Sequence, residues 1–134
     1  MRTLVYGLIT IVIGAAIIVF LIRPASSSAT TTGPSFTAAQ ASAGKTIYSA
    51  SCAQCHGADL SGGAGPALAG AAAQSLQVSS AFQIMTTQMP PTNPGKLTHD
   101  QYVKLMAYIL KQNGMKPGST PLTFAAAQNA STSL

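Results

Sequence analysis

The chain has 134 residues, of which 7% are charged and 47% hydrophobic. A soluble domain carries about 25% Asp, Glu, Lys and Arg, so part of this sequence is not ordinary globular surface. Asp59 and Asp100 are its only acids, which excludes a carboxylate-pair active site and a multi-carboxylate site for calcium or magnesium.

Residues 4–22 read LVYGLITIVIGAAIIVFLI, nineteen positions without a charge. As a helix this run spans about 28 Å, against a bilayer hydrocarbon core of about 30 Å. The apolar region of a signal peptide is only about 7–15 residues, so length favours a transmembrane anchor over 1–23. Ser27-Ser28-Ala29 offers a cleavage site, and either reading exports the rest of the chain. Residues 24–35, PASSSATTTGPS, are low in complexity and predict a flexible linker with a reach of roughly 20 Å.

The folded unit is expected over 36–116. A first helix is predicted from Thr37 to Ala53, with Thr37 as N-cap and Ala43, Ile47 and Tyr48 on one side. Residues 57–70 carry five glycines and Pro66, which defeats periodic structure. A weaker helix is predicted from Ala71 to Thr87, then an extended loop from Met89 to Lys96. The strongest helix runs from Thr98 to Asn113, where Tyr102, Leu105, Met106 and Ile109 keep helical spacing and Asn113-Gly114 supplies the stop. Residues 117–134 read as a tail that wraps or trails rather than forming core. No strand pattern appears, so the fold class is a small all-α domain preceded by one N-terminal transmembrane helix.

The formal charge of +5 does not indicate nucleic acid. Arg2 and Arg23 flank the apolar run, and Lys45, Lys96, Lys104, Lys111 and Lys116 stand singly without interleaved aromatics. A mildly basic face that steers an acidic protein partner fits better, with Lys96, Lys104 and Lys111 as candidates to frame it or simply as solvated side chains.

Both cysteines fall in Cys52-Ala53-Gln54-Cys55-His56. C-x-x-C-H is the attachment pattern of c-type haem: two thiols at a helix end reach two vinyl groups of one porphyrin, and the adjacent histidine offers Nε2 to iron. A Cys52–Cys55 disulfide would close too short a loop to constrain the unfolded chain much. A thioredoxin-like pair needs a βαβ context, and zinc needs two further ligands where only His99 remains. A domain of about eighty residues with a thin core also needs a staple, which a covalent cofactor provides.

Four segments in order then make the chain resemble a monohaem class I cytochrome c over about 38–114. They are Gly44-Lys-Thr-Ile-Tyr48 leading into CAQCHG, Gly65-Pro66-Ala67-Leu68, Met89-Pro90, and Leu97-Thr98 followed by Leu105-Met-Ala-Tyr108-Ile-Leu110. The resemblance implies one haem c attached through Cys52 and Cys55, with His56 as proximal ligand. It implies that the Pro66 carbonyl accepts the His56 Nδ1–H, that Gly44 and Tyr108 mark a helix crossing, and that Met89 is the distal ligand. Met85, Met106 and Met115 are the rival sulfurs, and His99 is the bis-histidine alternative.

A His/Met haem leaves no open site for substrate, so the expected function is single-electron transfer in a membrane respiratory chain, not enzymatic turnover. The implied partners are the membrane and redox proteins: a dehydrogenase, a bc1-type complex or a terminal oxidase. The implied location is the bacterial cytoplasmic membrane, single-pass, with the haem domain on the periplasmic side. A haem subunit of a larger complex and a sensor or weak peroxidase with an open distal site are the alternatives.

Overall fold

Two threonines start the two long helices. The structure, a computed structural model, describes residues 33–134, all within one unit, Thr31–Leu134. Helix α1 spans Ala38–Ser51 and is opened by Thr37, whose hydroxyl accepts from the Gln40 amide at 3.2 Å while the Gln40 side chain accepts from the Thr37 amide at 3.1 Å. This reciprocal box satisfies two amides that the first turn leaves unpaired. Cys52 caps the C-terminus of α1, and a single further turn, α2, covers Ala53–His56. Helix α3 spans Val78–Gln88, α4 spans His99–Gln112 and α5 spans Phe124–Gln128.

Helix α4 is the core of the domain. Thr98 and Gln101 repeat the capping box at its start. At its end Gly114 takes φ +90°, the Met115 amide bonds back to Leu110 and the Gly114 amide to Lys111. That pair of bonds is a Schellman stop, which glycine enters without a Cβ clash. Tyr102, Leu105, Met106 and Ile109 are all buried, as their spacing predicts.

Helices α1 and α4 cross at Gly44. A Cβ there would collide with the carbonyl oxygen of Lys104 and approach the Tyr108 Cβ to 2.9 Å, so only glycine permits this distance. One turn further on, the Tyr48 and Tyr108 rings pack with centroids 5.4 Å apart.

Three stretches differ from expectation. The second helix begins at Val78 rather than Ala71, because the backbone at 76–79 is claimed by the C-terminal segment. Val78 donates to Thr132, Ser79 to Ala130, and Leu134 to Leu76. Residues 89–96 form turns rather than an extended run, with the Asn93 amide bonded to the Pro90 carbonyl at 2.9 Å. The tail wraps the domain but also enters its core: Leu122, Ala127 and Leu134 are buried, and Phe124 packs edge-on against Phe82 at 4.9 Å. Leu122 is held by Gln40, which accepts from its amide and donates to its carbonyl.

The all-α class describes the observed domain, and among the described residues Gln77 and Ser133 form only an isolated bridge. The membrane part of the expectation is corrected, and with it the single-pass location. Among the described residues no helix is long and apolar enough to cross a membrane. The longest, α1 and α4, have 14 residues each, about 21 Å against a core of about 30 Å. The run 4–22 lies outside the described residues.

Candidate haem site

The end of α1 sets the site. The Cys52 carbonyl accepts from the amides of Cys55 (3.1 Å) and His56 (2.9 Å), which folds CAQCH into one tight turn. His56 is the only buried polar or charged side chain among the described residues. Its Nδ1 lies 2.7 Å from the Pro66 carbonyl oxygen. A carbonyl can only accept, so the proton sits on Nδ1 and the Nε2 lone pair is left for a metal.

The glycine-rich loop is built around this ring. The Gly65 amide donates to the Cys55 carbonyl and the Gly62 amide to the His56 carbonyl. A Cβ at Gly65 would stand 2.8 Å from His56 Cε1 and 2.9 Å from Nδ1, so the loop backbone lies directly against the imidazole. On the other side, the Tyr48 hydroxyl donates to the Gly57 carbonyl at 2.6 Å. Burial, reinforced by Cys52, Tyr108 and Asp59, pushes that hydroxyl up to about 12.

His56 faces an almost wholly apolar cleft with about 660 Å³ of empty space, its open mouth included. Cys52, Pro66 and Met89 share its wall with His56. So do Met85 and Met106, which bring the converging thioethers to three. Cys55 is half-buried beside the cleft rather than in its wall. Met115 packs against the core elsewhere, and His99 stacks on Phe124 at 4.0 Å, outside the cleft wall.

The donor set fits a covalently attached haem. Cys52 and Cys55 are free thiols, so no disulfide consumes them, and burial with the neighbouring Cys55 pushes the Cys52 thiol up to about 11. No group of three or more His, Cys, Asp or Glu converges among the described residues, short of the four ligands of a structural zinc site. The apolar lining of the cleft suits a large planar ligand.

Two supporting residues escaped the sequence reading. Asn113 donates to the Leu68 carbonyl (2.8 Å) and the Ile109 carbonyl (3.0 Å) and accepts from the Gly70 amide (3.2 Å). It ties the loop carrying Pro66 to the end of α4; in the sequence it reads only as a helix stop. Tyr102 donates to the Met89 carbonyl at 3.0 Å, and in the sequence it reads only as core.

The lysines of α4 do not frame the cleft. At 3.6 residues per turn, Lys104 and Lys111 point roughly 100–160° away from Leu105, Met106 and Ile109, which line it. Lys104 is paired with Asp100 one turn back, at 2.5 Å.

The family described as cytochrome c oxidase, cbb3-type, subunit III matches residues 39–109. The chain belongs to this family of monohaem class I cytochromes c. As a cytochrome c it carries covalently bound haem c, for which Cys52, Cys55 and His56 supply the attachment motif. None of the curated proteins matches this cytochrome in sequence. Its fold is similar to a chain in the crystal structure of the sulfane dehydrogenase SoxCD from Paracoccus pantotrophus, with a TM-score of 0.58 at 17% identity. The similarity covers 82% of this cytochrome and 66% of that chain.

Proposed function

We propose that this cytochrome c is a single-electron carrier between redox proteins and not itself an enzyme. Cys52 and Cys55 form the two thioethers, His56 is the proximal ligand oriented by Pro66, and Met89 is the distal ligand. Haem c, when bound, supplies a one-electron iron couple, and a thioether ligand favours its ferrous form. The protein's part is to hold the His56 Nδ1 proton at the Pro66 carbonyl, to bring Met89 to the same cleft, and to keep that cleft dry.

The observation that carries the reading is the sharing of one apolar cleft by Cys52, His56 and Met89, with His56 already held in the ligating tautomer. Met89 is preferred to its rivals because it caps α3 in extended backbone, φ −118° and ψ 145°, where its side chain is released from helical packing. Met85 and Met106 are buried within α3 and α4. Docking is assigned to the cleft mouth, where Ile84 is the exposed large hydrophobic residue, rather than to the lysines of α4.

The test is the visible spectrum of the ferric holoprotein. Met89→Ala is expected to lose the sulfur–iron charge-transfer band and to bind cyanide faster, while Met85→Ala and Met106→Ala keep the band. Loss of the band in Met85→Ala or Met106→Ala, with retention in Met89→Ala, overturns the assignment.

A second reading, a haem subunit of a larger oxidase or dehydrogenase assembly, is favoured by the family description, which names a subunit. Stoichiometric co-purification with a larger redox enzyme would select it over a free carrier.

A further inference from the structure

The C-terminal segment approaches the cofactor cleft from a fixed base. Thr123 caps α5 by accepting from the Ala126 amide at 3.1 Å. Phe124 is wedged between Phe82 of α3 and His99 of α4. From there residues 130–134, ASTSL, run along 76–79. Val78 donates to Thr132 at 2.8 Å, Ser79 to Ala130 at 3.1 Å, and Leu134 to Leu76 at 3.0 Å. Four small side chains let the two backbones approach, and the one large apolar side chain follows them. Leu134 is only 6% exposed and forms part of the cleft wall together with Leu76.

We infer that residues 130–134 belong to the haem site, as a strap whose Leu134 closes one wall of the cleft and shields the cofactor from water. The family match ends at residue 109, so the strap lies outside the matched portion. It competes with the helix that residues 71–77 would otherwise join, and holds Leu76 and Val78 in the arrangement that the wall needs. A dry wall matters chemically. Water near the iron stabilises the ferric state, which carries the extra positive charge, so closing the strap favours the ferrous state. The inference rests on the haem occupying this cleft and is independent of which methionine ligates the iron.

Proton NMR of the ferrous holoprotein tests it directly. The Leu134 methyl resonances are expected to be displaced by the porphyrin ring current, as are those of Leu68, Leu105 and Ile109, which also line the cleft. Displacement of the latter three without Leu134 refutes the strap and leaves the cleft assignment standing. No displacement in any of the four refutes both.

Leu134→Ala then tests the shielding. Burial of a leucine side chain corresponds to a factor of roughly ten to a hundred in an opening equilibrium, so amide exchange at Val78, Ser79 and Leu134's own position should quicken by part of that range. Amides of α1 and α4 should stay as they are. Relaxation of the haem ring protons by an uncharged gadolinium chelate should rise in the same variant, and Leu134→Met should restore both. Faster exchange without greater relaxation shows a strap that covers no haem; unchanged exchange shows that Leu134 does not hold it. Either result overturns the proposal.

Discussion

The Tyr102 hydroxyl donates to the Met89 carbonyl across 3.0 Å, joining the core helix α4 to the first residue after α3. The bond fixes the backbone of Met89 without touching its sulfur. Tyr102→Phe removes the donor and keeps the ring, at a cost of about 1 kcal/mol. If Met89 ligates iron, this corresponds to about a fivefold rise in the affinity of the ferric protein for added imidazole, which competes for the distal position. Spectral titration measures it, and an unaltered affinity would show that the bond does not position the ligand.

Gly65→Ala addresses the other axial side. The backbone there does not need glycine's left-handed freedom, so the change is steric: the new methyl meets the His56 ring at 2.8 Å. Moving the loop away lengthens the bond from Nδ1 to the Pro66 carbonyl. Overpacking of this kind costs about 1–3 kcal/mol. Denaturant unfolding should record that loss, and the His56 ring N–H should exchange with solvent faster. A stable variant with an unchanged ring proton would contradict the packing described here.

Alkaline pH should act through Tyr48. Its folded-state value of about 12 lies above the ordinary 10.0, chiefly through burial. The unfolded chain therefore loses this proton first as pH rises, so Tyr48's contribution to stability is complete below about pH 10 and is lost between there and about pH 12. Tyr48→Phe should be about 1 kcal/mol less stable near neutrality, because the Gly57 carbonyl loses its donor. The gap between wild type and variant should narrow through that alkaline window. Parallel stability curves would show that Tyr48 does not titrate there.

What could be read in advance was what local chemistry decides. Thr37 and Thr98 start helices because a hydroxyl three residues ahead of a glutamine closes a capping box, and this is written within four residues. Tyr102, Leu105, Met106 and Ile109 lie on one face by period alone. CAQCH identifies its cofactor because the spacing of two thiols and an imidazole is itself the requirement. The unread parts are pairings across long chain separations. Residues 71–77 look helical until a partner beyond residue 130 takes the backbone at 76–79. Leu134 looks like a trailing residue until that pairing carries it into the cleft. Asn113 looks like a stop signal, yet its amide spans to Leu68 and Gly70, more than forty positions earlier. Lys104 and Lys111 share a helical face, but only the packing of α4 tells which way that face points.

The contact at Gly44 also has a bearing on how this sequence can vary. With α1 pressed against Lys104 and Tyr108, the turns at 91–96 lie in a segment with both ends clamped. Lengthening a closed flexible loop adds cost only with the logarithm of its size, about 0.6 kcal/mol per doubling. Turns at 91–96 can therefore gain or lose residues at little expense, while the clamp itself tolerates no added carbon. Insertions are thereby directed to those turns, and the helix crossing depends on a single missing methyl group.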